Sequence, residues 1–121
     1  MSVKHVNDVE ARDVAAGKAT TLQVLISAQE GPNFALRRFS MEPGGGMPAH
    51  TNTVEHEQYV LRGRARIGIG SETYEVAAGN VVYIPAGVVH FYENLGDEPF
   101  EFLCIIPNAD DKITIVDAAA C

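Results

Sequence analysis

Short stretches rich in Val, Ile, Tyr, Phe and Thr recur along the chain, and polar and apolar positions alternate within many of them. Such stretches are typical of β-strands, whose side chains point alternately to the two faces of a sheet. Gly, Pro, Asn or Asp separates most neighbours, as expected of turns. The predicted strands are residues 20–26, 33–41, 57–62, 64–68, 72–76, 81–84, 89–93, 100–106 and 112–116.

Helical periodicity competes only weakly, in residues 8–16, where the apolar side chains are too small to bury much surface. Many short strands at regular spacing predict an all-β sandwich or barrel, since closing the sheet hides its edges. A chain of 121 residues is expected to form one domain. We divide it into an N-terminal segment at 1–19, a barrel at 20–117 and a frayed tail at 118–121.

Charge and composition limit the classes of binding partner that are expected. The formal net charge of −7 argues against nucleic acid or an anionic membrane, because both are approached through clustered Lys and Arg. The N-terminus has no apolar run of the kind a secretion signal needs, and the chain has no apolar stretch long enough to span a bilayer. A cytoplasmic protein with a small-molecule partner is therefore expected.

The two cysteines do not predict a disulfide. Cys104 lies in a predicted apolar strand and Cys121 is the last residue, so both thiols are expected to be reduced. The predicted strand 20–26 would leave an open sheet edge. We therefore expect a two-fold homodimer in which N-terminal strands pack or exchange across the interface.

Three of the four histidines stand beside segments rich in glycine and proline. His50 follows the glycine run 44–46, His56 precedes a predicted strand, and His90 lies just after Pro85-Ala86-Gly87. The glycine run permits positive φ angles and close backbone approach, which would fold a loop carrying His50 over the barrel mouth. Imidazoles on neighbouring strands could then converge on one divalent ion.

The same segments resemble the paired motifs of the cupin superfamily. The positions that match are Gly44, His50 and Gly63 in the first motif and Gly79, Pro85, Gly87, His90 and Asn94 in the second. The resemblance covers roughly residues 33–107 and implies a single cupin (jelly-roll) β-barrel of short antiparallel strands. Two positions depart from the motif, because Asn52 stands where a second histidine is usual and His56 where a glutamate is usual.

With a histidine at position 56, the sequence resembles a subgroup of small cupins in which four histidines bind the metal. The resemblance implies that His50, His56 and His90 hold one divalent transition metal, which would be Mn, Fe, Co, Ni, Cu or Zn. Asn52 would fill the fourth position only weakly or through water, since an amide oxygen is a poor ligand for late transition metals.

The resemblance also implies that the strand carrying Phe102 and Cys104 lines the pocket beside the metal. Taken without it, Cys104 is a small core residue. Strand alternation adds Gln58, which shares the parity of His56, and Tyr92, which shares that of His90. For Tyr92, a pocket-wall phenol and a purely structural hydrogen bond are equal alternatives.

Charged residues near the histidines leave alternatives open. Glu55 and Glu57 fall on the strand face opposite His56, which favours contact with solvent or with a ligand-supporting group over metal ligation or general-base catalysis. Arg37 shares a strand face with Phe39 and Met41, which are expected to fill the barrel. Arg37 would then either bind a carboxylate substrate or extend to solvent.

Cupins include dioxygenases, sugar isomerases, lyases, decarboxylases and non-catalytic proteins, so the fold alone assigns no reaction. An open three-histidine site favours a metal-dependent oxidoreductase of dioxygenase type, acting on a small, partly apolar molecule. The side chains expected to contact that molecule are Gln58, Tyr92, Phe102 and Cys104. The alternatives are a metal-dependent lyase or isomerase, whose base would have to be Tyr92 or one of the two glutamates, and a non-catalytic metal- or ligand-binding module.

Overall fold

The structure is a computed structural model that describes residues 1–116. Cys121 and the predicted tail at 118–121 lie outside the described residues. The regular elements within residues 1–116 are a short 3-10 helix, η1 (Val6–Asp8), and ten strands: β1 (Arg12–Asp13), β2 (Lys18–Ile26), β3 (Phe34–Asn52), β4 (His56–Arg62), β5 (Arg64–Ile69), β6 (Glu72–Ala77), β7 (Val81–Ile84), β8 (His90–Asn94), β9 (Phe100–Pro107) and β10 (Ile113–Ile115). The predicted all-β class is confirmed.

The long strand β3 joins two halves of one antiparallel sheet. Its first part, residues 34–41, pairs with β9 on one side and β2 on the other, and β4 and β7 continue this half beyond β9. Its second part, residues 46–52, pairs with β8 and β10, and β5 and β6 continue that half beyond β8. The sheet curls around a common core, which gives the predicted jelly-roll barrel.

The core is apolar because alternate side chains from both halves point inward. The buried core residues are Met41, Met47, Val60, Ala65, Ile67, Val76, Val82, Ile84, Tyr92, Phe100, Phe102 and Cys104. Phe102 packs between the rings of Phe100 and Tyr92, with ring centroids 5.4 and 5.3 Å away. Burying each large apolar side chain stabilises the fold by about 1.5–3 kcal/mol.

Two glycines let β3 pass from one half of the sheet to the other. Gly44 has a φ of 80°, a conformation that side chains with a Cβ rarely adopt. At Gly46 a Cβ would lie 2.0 Å from the carbonyl oxygen of Tyr92, so only glycine allows β3 and β8 to approach this closely. The predicted effect of the glycine run on the backbone is confirmed.

The prediction that His50 lies in a loop is wrong. His50 is a strand residue of β3, paired with His90 of β8 on one side and with Ile115 of β10 on the other. The pattern of side chains suggested a loop because this part of β3 contains three glycines and two prolines. Its strand character comes from backbone pairing with β8 and β10, which the local pattern of side chains does not reveal.

At the N-terminus, β1 pairs with β2 only at Arg12 and Asp13. This two-residue strand was not predicted, and it covers only part of the β2 edge. Within residues 1–116, the structure contains no helix with the length and apolar character required to cross a membrane.

Candidate metal centre and binding cavity

The three predicted histidines line one cavity of about 90 Å³ inside the barrel. They are almost fully buried, with 4% of His50, 6% of His56 and 1% of His90 exposed. The other polar side chains of the lining are Arg37, Asn52, Gln58 and Tyr92, and the apolar ones are Val14, Leu22, Phe39, Met41, Met47, Phe102 and Ile113. The cavity is small, mostly apolar and carries a few convergent polar groups, as ligand sites do.

Strand pairing positions the three rings. His50 on β3 lies directly across from His90 on β8, and their ring centroids are 4.1 Å apart. His56 begins β4, beside Ile84 of β7, and its ring centroid lies 5.6 Å from that of His90. Three strands from both halves of the sheet therefore each contribute one imidazole to the same cavity.

Backbone carbonyls fix the tautomers of two rings. The Nδ1 atom of His50 lies 2.8 Å from the Pro48 carbonyl oxygen, and that of His90 lies 2.9 Å from the Val88 carbonyl oxygen. A carbonyl oxygen only accepts hydrogen bonds, so each Nδ1 carries the proton and donates. The Nε2 atoms are left unprotonated, which is the form in which histidine binds metals.

The third ring has a different partner. The Nδ1 atom of His56 lies 3.5 Å from the sulfur of Cys104, to which Arg37 Nη2 at 3.3 Å and Gln58 Nε2 at 3.7 Å also donate. A thiol both donates and accepts, so this contact is compatible with either tautomer of His56. Metal binding would use the tautomer in which Nδ1 carries the proton and the Nε2 lone pair is free. The Nε2 atoms of His56 and His90 are buried and have no hydrogen-bond partner within residues 1–116.

The surroundings keep these rings neutral. Burial lowers the pKa of His56 to about 3, and the positive charge of Arg37 acts in the same direction. Burial also lowers the pKa of His90 to about 4, although its hydrogen bond to Val88 opposes the shift. Both rings are therefore neutral at pH 7, as metal binding requires. Burial raises the pKa of Tyr92 and of Cys104, so the phenol and the thiol stay protonated.

The donor set fits a late divalent transition metal, because imidazole nitrogen is a good ligand for Fe, Co, Ni, Cu and Zn. Two buried Nε2 atoms that have no partner among the described residues are the direct sign of that fit. However, no group of three or more His, Cys, Asp or Glu side chains in residues 1–116 is arranged as a ready metal site. Metal binding to the three histidines therefore stays a prediction.

Asn52, the predicted weak fourth ligand, lines the same cavity and is 4% exposed. Its Nδ2 atom donates to a carboxylate oxygen of Asp111 at 3.2 Å, and its Oδ1 atom is buried without a partner within residues 1–116. Asp111 was not predicted, because it lies in a turn between β9 and β10 and no motif marks it. Because the hydrogen bond to Asp111 uses the Nδ2 atom of Asn52, its Oδ1 atom is the one left for contact with a ligand.

The other predicted site residues are close together. Gln58 donates a hydrogen bond of 2.7 Å to the Tyr92 hydroxyl, and the Tyr92 ring stacks on Phe102. These three side chains line the cavity. Cys104 is fully buried behind the lining, where it contacts Arg37, Gln58 and His56 rather than the cavity itself.

The two glutamates beside His56 are not part of the cavity lining. Glu57 pairs across β4 with Tyr83 and Ile105, and partial burial together with the neighbouring Glu55 raises the pKa of Glu57 to about 7. Among residues 1–116, no Asp or Glu side chain lines the cavity.

Comparison with known proteins agrees with this geometry. A family model described as "Cupin domain" matches residues 37–106. Among curated proteins, the chain is 37% identical over 70 residues to an oxalate decarboxylase of Bacillus subtilis, an alignment that covers 53% of this chain and 18% of the relative. It is 32% identical over 95 residues to the 1-methylthio-D-xylulose 5-phosphate methylsulfurylase of Rhodospirillum rubrum, which covers 78% of this chain and 60% of that one.

Among solved structures, the polyketide cyclase RemF from Streptomyces resistomycificus superimposes with a TM-score of 0.85 and 30% identity, covering 98% of this chain and 88% of that one. The alignments with both curated relatives above span less than two thirds of those proteins' own lengths.

Proposed function

This chain belongs to the cupin family, and from that membership we propose that it is a metal-dependent enzyme acting on a small molecule. His50, His56 and His90 would hold one divalent transition metal through their Nε2 atoms. The observation that carries the proposal is the pair of buried Nε2 atoms of His56 and His90, which have no partner in the part of the chain that the structure describes. A buried polar atom without a partner is unfavourable, so a ligand that uses it is expected.

The more specific class that we propose is an oxidoreductase of dioxygenase type. A bound transition metal with three neutral imidazole ligands would supply redox and Lewis-acid chemistry at its remaining open positions. The lack of an Asp or Glu in the cavity lining of residues 1–116 supports this class over a lyase or isomerase that depends on a carboxylate base.

The side chains of the cavity would bind and orient the substrate. Phe39 and Phe102 would contact its apolar part and exclude water, since their stacked rings lie side by side in the lining with centroids 5.2 Å apart. Tyr92 would keep its proton, because burial raises its pKa, and Gln58 fixes the position of its hydroxyl oxygen. A cytoplasmic location stays part of the proposal, and the free thiol of Cys104 agrees with it.

A second candidate is a reaction without net redox change, in the lyase or isomerase group. It is favoured by the similarity to a polyketide cyclase over 98% of this chain. The two candidates differ in their use of oxygen, because only the oxidoreductase would consume it.

The test begins with elemental analysis of protein purified without added metal. We expect about one divalent transition metal per chain, and its loss in His56→Ala and His90→Ala. The matched control is His5→Ala, because His5 lies outside the cavity and caps η1. Circular dichroism should show that the variants remain folded, since the apolar core does not depend on the metal. Full metal occupancy in both cavity variants would overturn the proposal.

Oxygen uptake by the metal-loaded protein then separates the two candidates. A panel of small aromatic and carboxylic compounds is incubated in an oxygen-electrode cell, and turnover is followed in parallel by mass spectrometry. Uptake matched to product formation supports the oxidoreductase. Product formation that proceeds equally under argon excludes it and supports the second candidate.

A further inference from the structure

We propose that Arg37 anchors a carboxylate group of the molecule that binds in the cavity, so that the substrates are small carboxylic acids. This inference rests on the proposed function for its location, and it adds the chemical class of the ligand.

Arg37 lies on the first part of β3, opposite Cys104 of β9, and its side chain lines the cavity together with the histidines. Its guanidinium carbon lies 5.0 Å from the centroid of the Phe39 ring. The ring holds the guanidinium plane in place by a cation–π interaction. The charged group is thus fixed against the wall of the cavity rather than free to move.

The guanidinium group has few partners. Its Nη2 atom donates to the sulfur of Cys104 at 3.3 Å, a neutral and weak acceptor. Its Nε atom is buried and has no partner within residues 1–116. No Asp or Glu in that part of the chain forms an ion pair with Arg37.

Neighbouring arginines differ in this respect. Arg38, the next residue, points to the other face of β3, where it pairs with Glu101 and donates to Gln23 at 2.7 Å. Arg66 lies 3.6 Å from Glu93 on the outer surface. In the described part of the chain, the missing counter-charge is therefore a property of the cavity and not of the arginines in general.

Arg37 as a whole is half-buried, but its Nε atom is buried without a partner within residues 1–116, and a guanidinium group keeps its positive charge in proteins. Its planar fork of N–H donors matches the two oxygens of a carboxylate, which would supply both the acceptors and the negative charge that are missing. The apolar side chains of Phe39 and Phe102 would contact the rest of the ligand. A cavity of about 90 Å³ favours a small acid.

The test measures binding of benzoate and of pyruvate by isothermal titration calorimetry, with benzamide and pyruvamide as neutral counterparts of nearly the same shape. We expect the acids to bind at least tenfold more tightly than the amides. We expect Arg37→Gln to lose tenfold or more of the affinity for the acids and little of that for the amides, with Arg37→Lys intermediate. Arg66→Gln is the matched control and should bind as the wild type does.

Metal content is measured on the same samples, and the titrations are repeated after metal removal. A protein that neither contains nor takes up metal, but still binds the acids through Arg37, would contradict the proposed function and leave this inference standing. The inference is overturned if acids and amides bind equally, if Arg37→Gln and Arg37→Met bind acids as the wild type does, or if neither acid binds the folded wild type at millimolar concentration.

Discussion

Replacing Asn52 by histidine tests whether position 52 faces the metal. The Asn52 side chain lies at the end of β3, where its Nδ2 atom donates to Asp111 and its Oδ1 atom has no partner up to residue 116. An imidazole at this position would direct one nitrogen into the cavity. Its other nitrogen would lie where Nδ2 now lies, within reach of the Asp111 carboxylate.

The expected magnitude follows from these two contacts. One added nitrogen ligand is worth on the order of 1.4 kcal/mol or more, which is a tenfold or greater gain in metal affinity. A carboxylate that accepts from a metal-bound histidine typically contributes a further 10- to 100-fold, so the Asp111→Asn change in the Asn52→His background should cost about tenfold or more. If the Asp111 hydrogen bond is not re-formed, its loss of about 1.5–3 kcal/mol falls on the folding free energy.

The assay is a competition titration of Co²⁺ with a chromophoric chelator, together with the visible spectrum of the bound ion. Thr51→His is the control, because the neighbouring residue points to the other face of β3. We also expect Asn52→His to slow any reaction that needs two open coordination positions. Unchanged affinity and an unchanged spectrum in Asn52→His would show that position 52 does not face the metal.

Three further predictions concern stability and assembly. The pKa values of His56 and His90 are lowered from 6.5 to about 3 and about 4, so the unfolded state binds more protons than the folded state below pH 6.5. The free energy of unfolding of the metal-free protein should therefore fall by up to about 1.4 kcal/mol per pH unit for each histidine as the pH falls from 6.5 toward 4. Urea unfolding should show a weaker dependence on pH in the variant that carries both His56→Gln and His90→Gln. Gly46→Ala places a Cβ 2.0 Å from the Tyr92 carbonyl oxygen, and this clash should lower the free energy of unfolding by about 1–3 kcal/mol or more. Gly79→Ala is the comparison, because a Cβ there has nothing within 4 Å and should cost only the backbone strain of about 1–2 kcal/mol; Gly46→Ala should be the more destabilising of the two. Because β1 pairs with β2 at only two positions, the β2 edge should pair between two chains, and a monomer mass in sedimentation at micromolar concentration would contradict the homodimer.

The alternation of side chains was sufficient to predict most of the strands. The predicted strand 81–84 has the bounds of β7 (Val81–Ile84), and the bounds of most other strands differ from the prediction by no more than two residues. The strand at residues 42–52 was missed for a physical reason. The glycines and prolines in this segment do not show the alternation of polar and apolar side chains from which the other strands were predicted. Their strand conformation is imposed by β8 and β10, which are distant in sequence.

Parity predicted which side chains of the site share a face, because it follows from the period of a strand. Gln58 and Tyr92 lie in the cavity as expected, and Glu57 lies outside it. Parity could not predict Asp111, because turn residues follow no such period. It also could not show that Arg37 has no acidic partner within residues 1–116, since that depends on every element packed around it.

The three rings also differ in how far their orientation is encoded locally. His50 and His90 each bond to the carbonyl two residues earlier, so the segment that carries each ring also holds it. His56 instead depends on the sulfur of Cys104, which reaches it only when β4 and β9 are paired. Two of the three imidazoles are therefore oriented by their own motifs, whereas the third is oriented by the assembled barrel. Any change that shifts β9 against β4 should disturb His56 before it disturbs the other two rings.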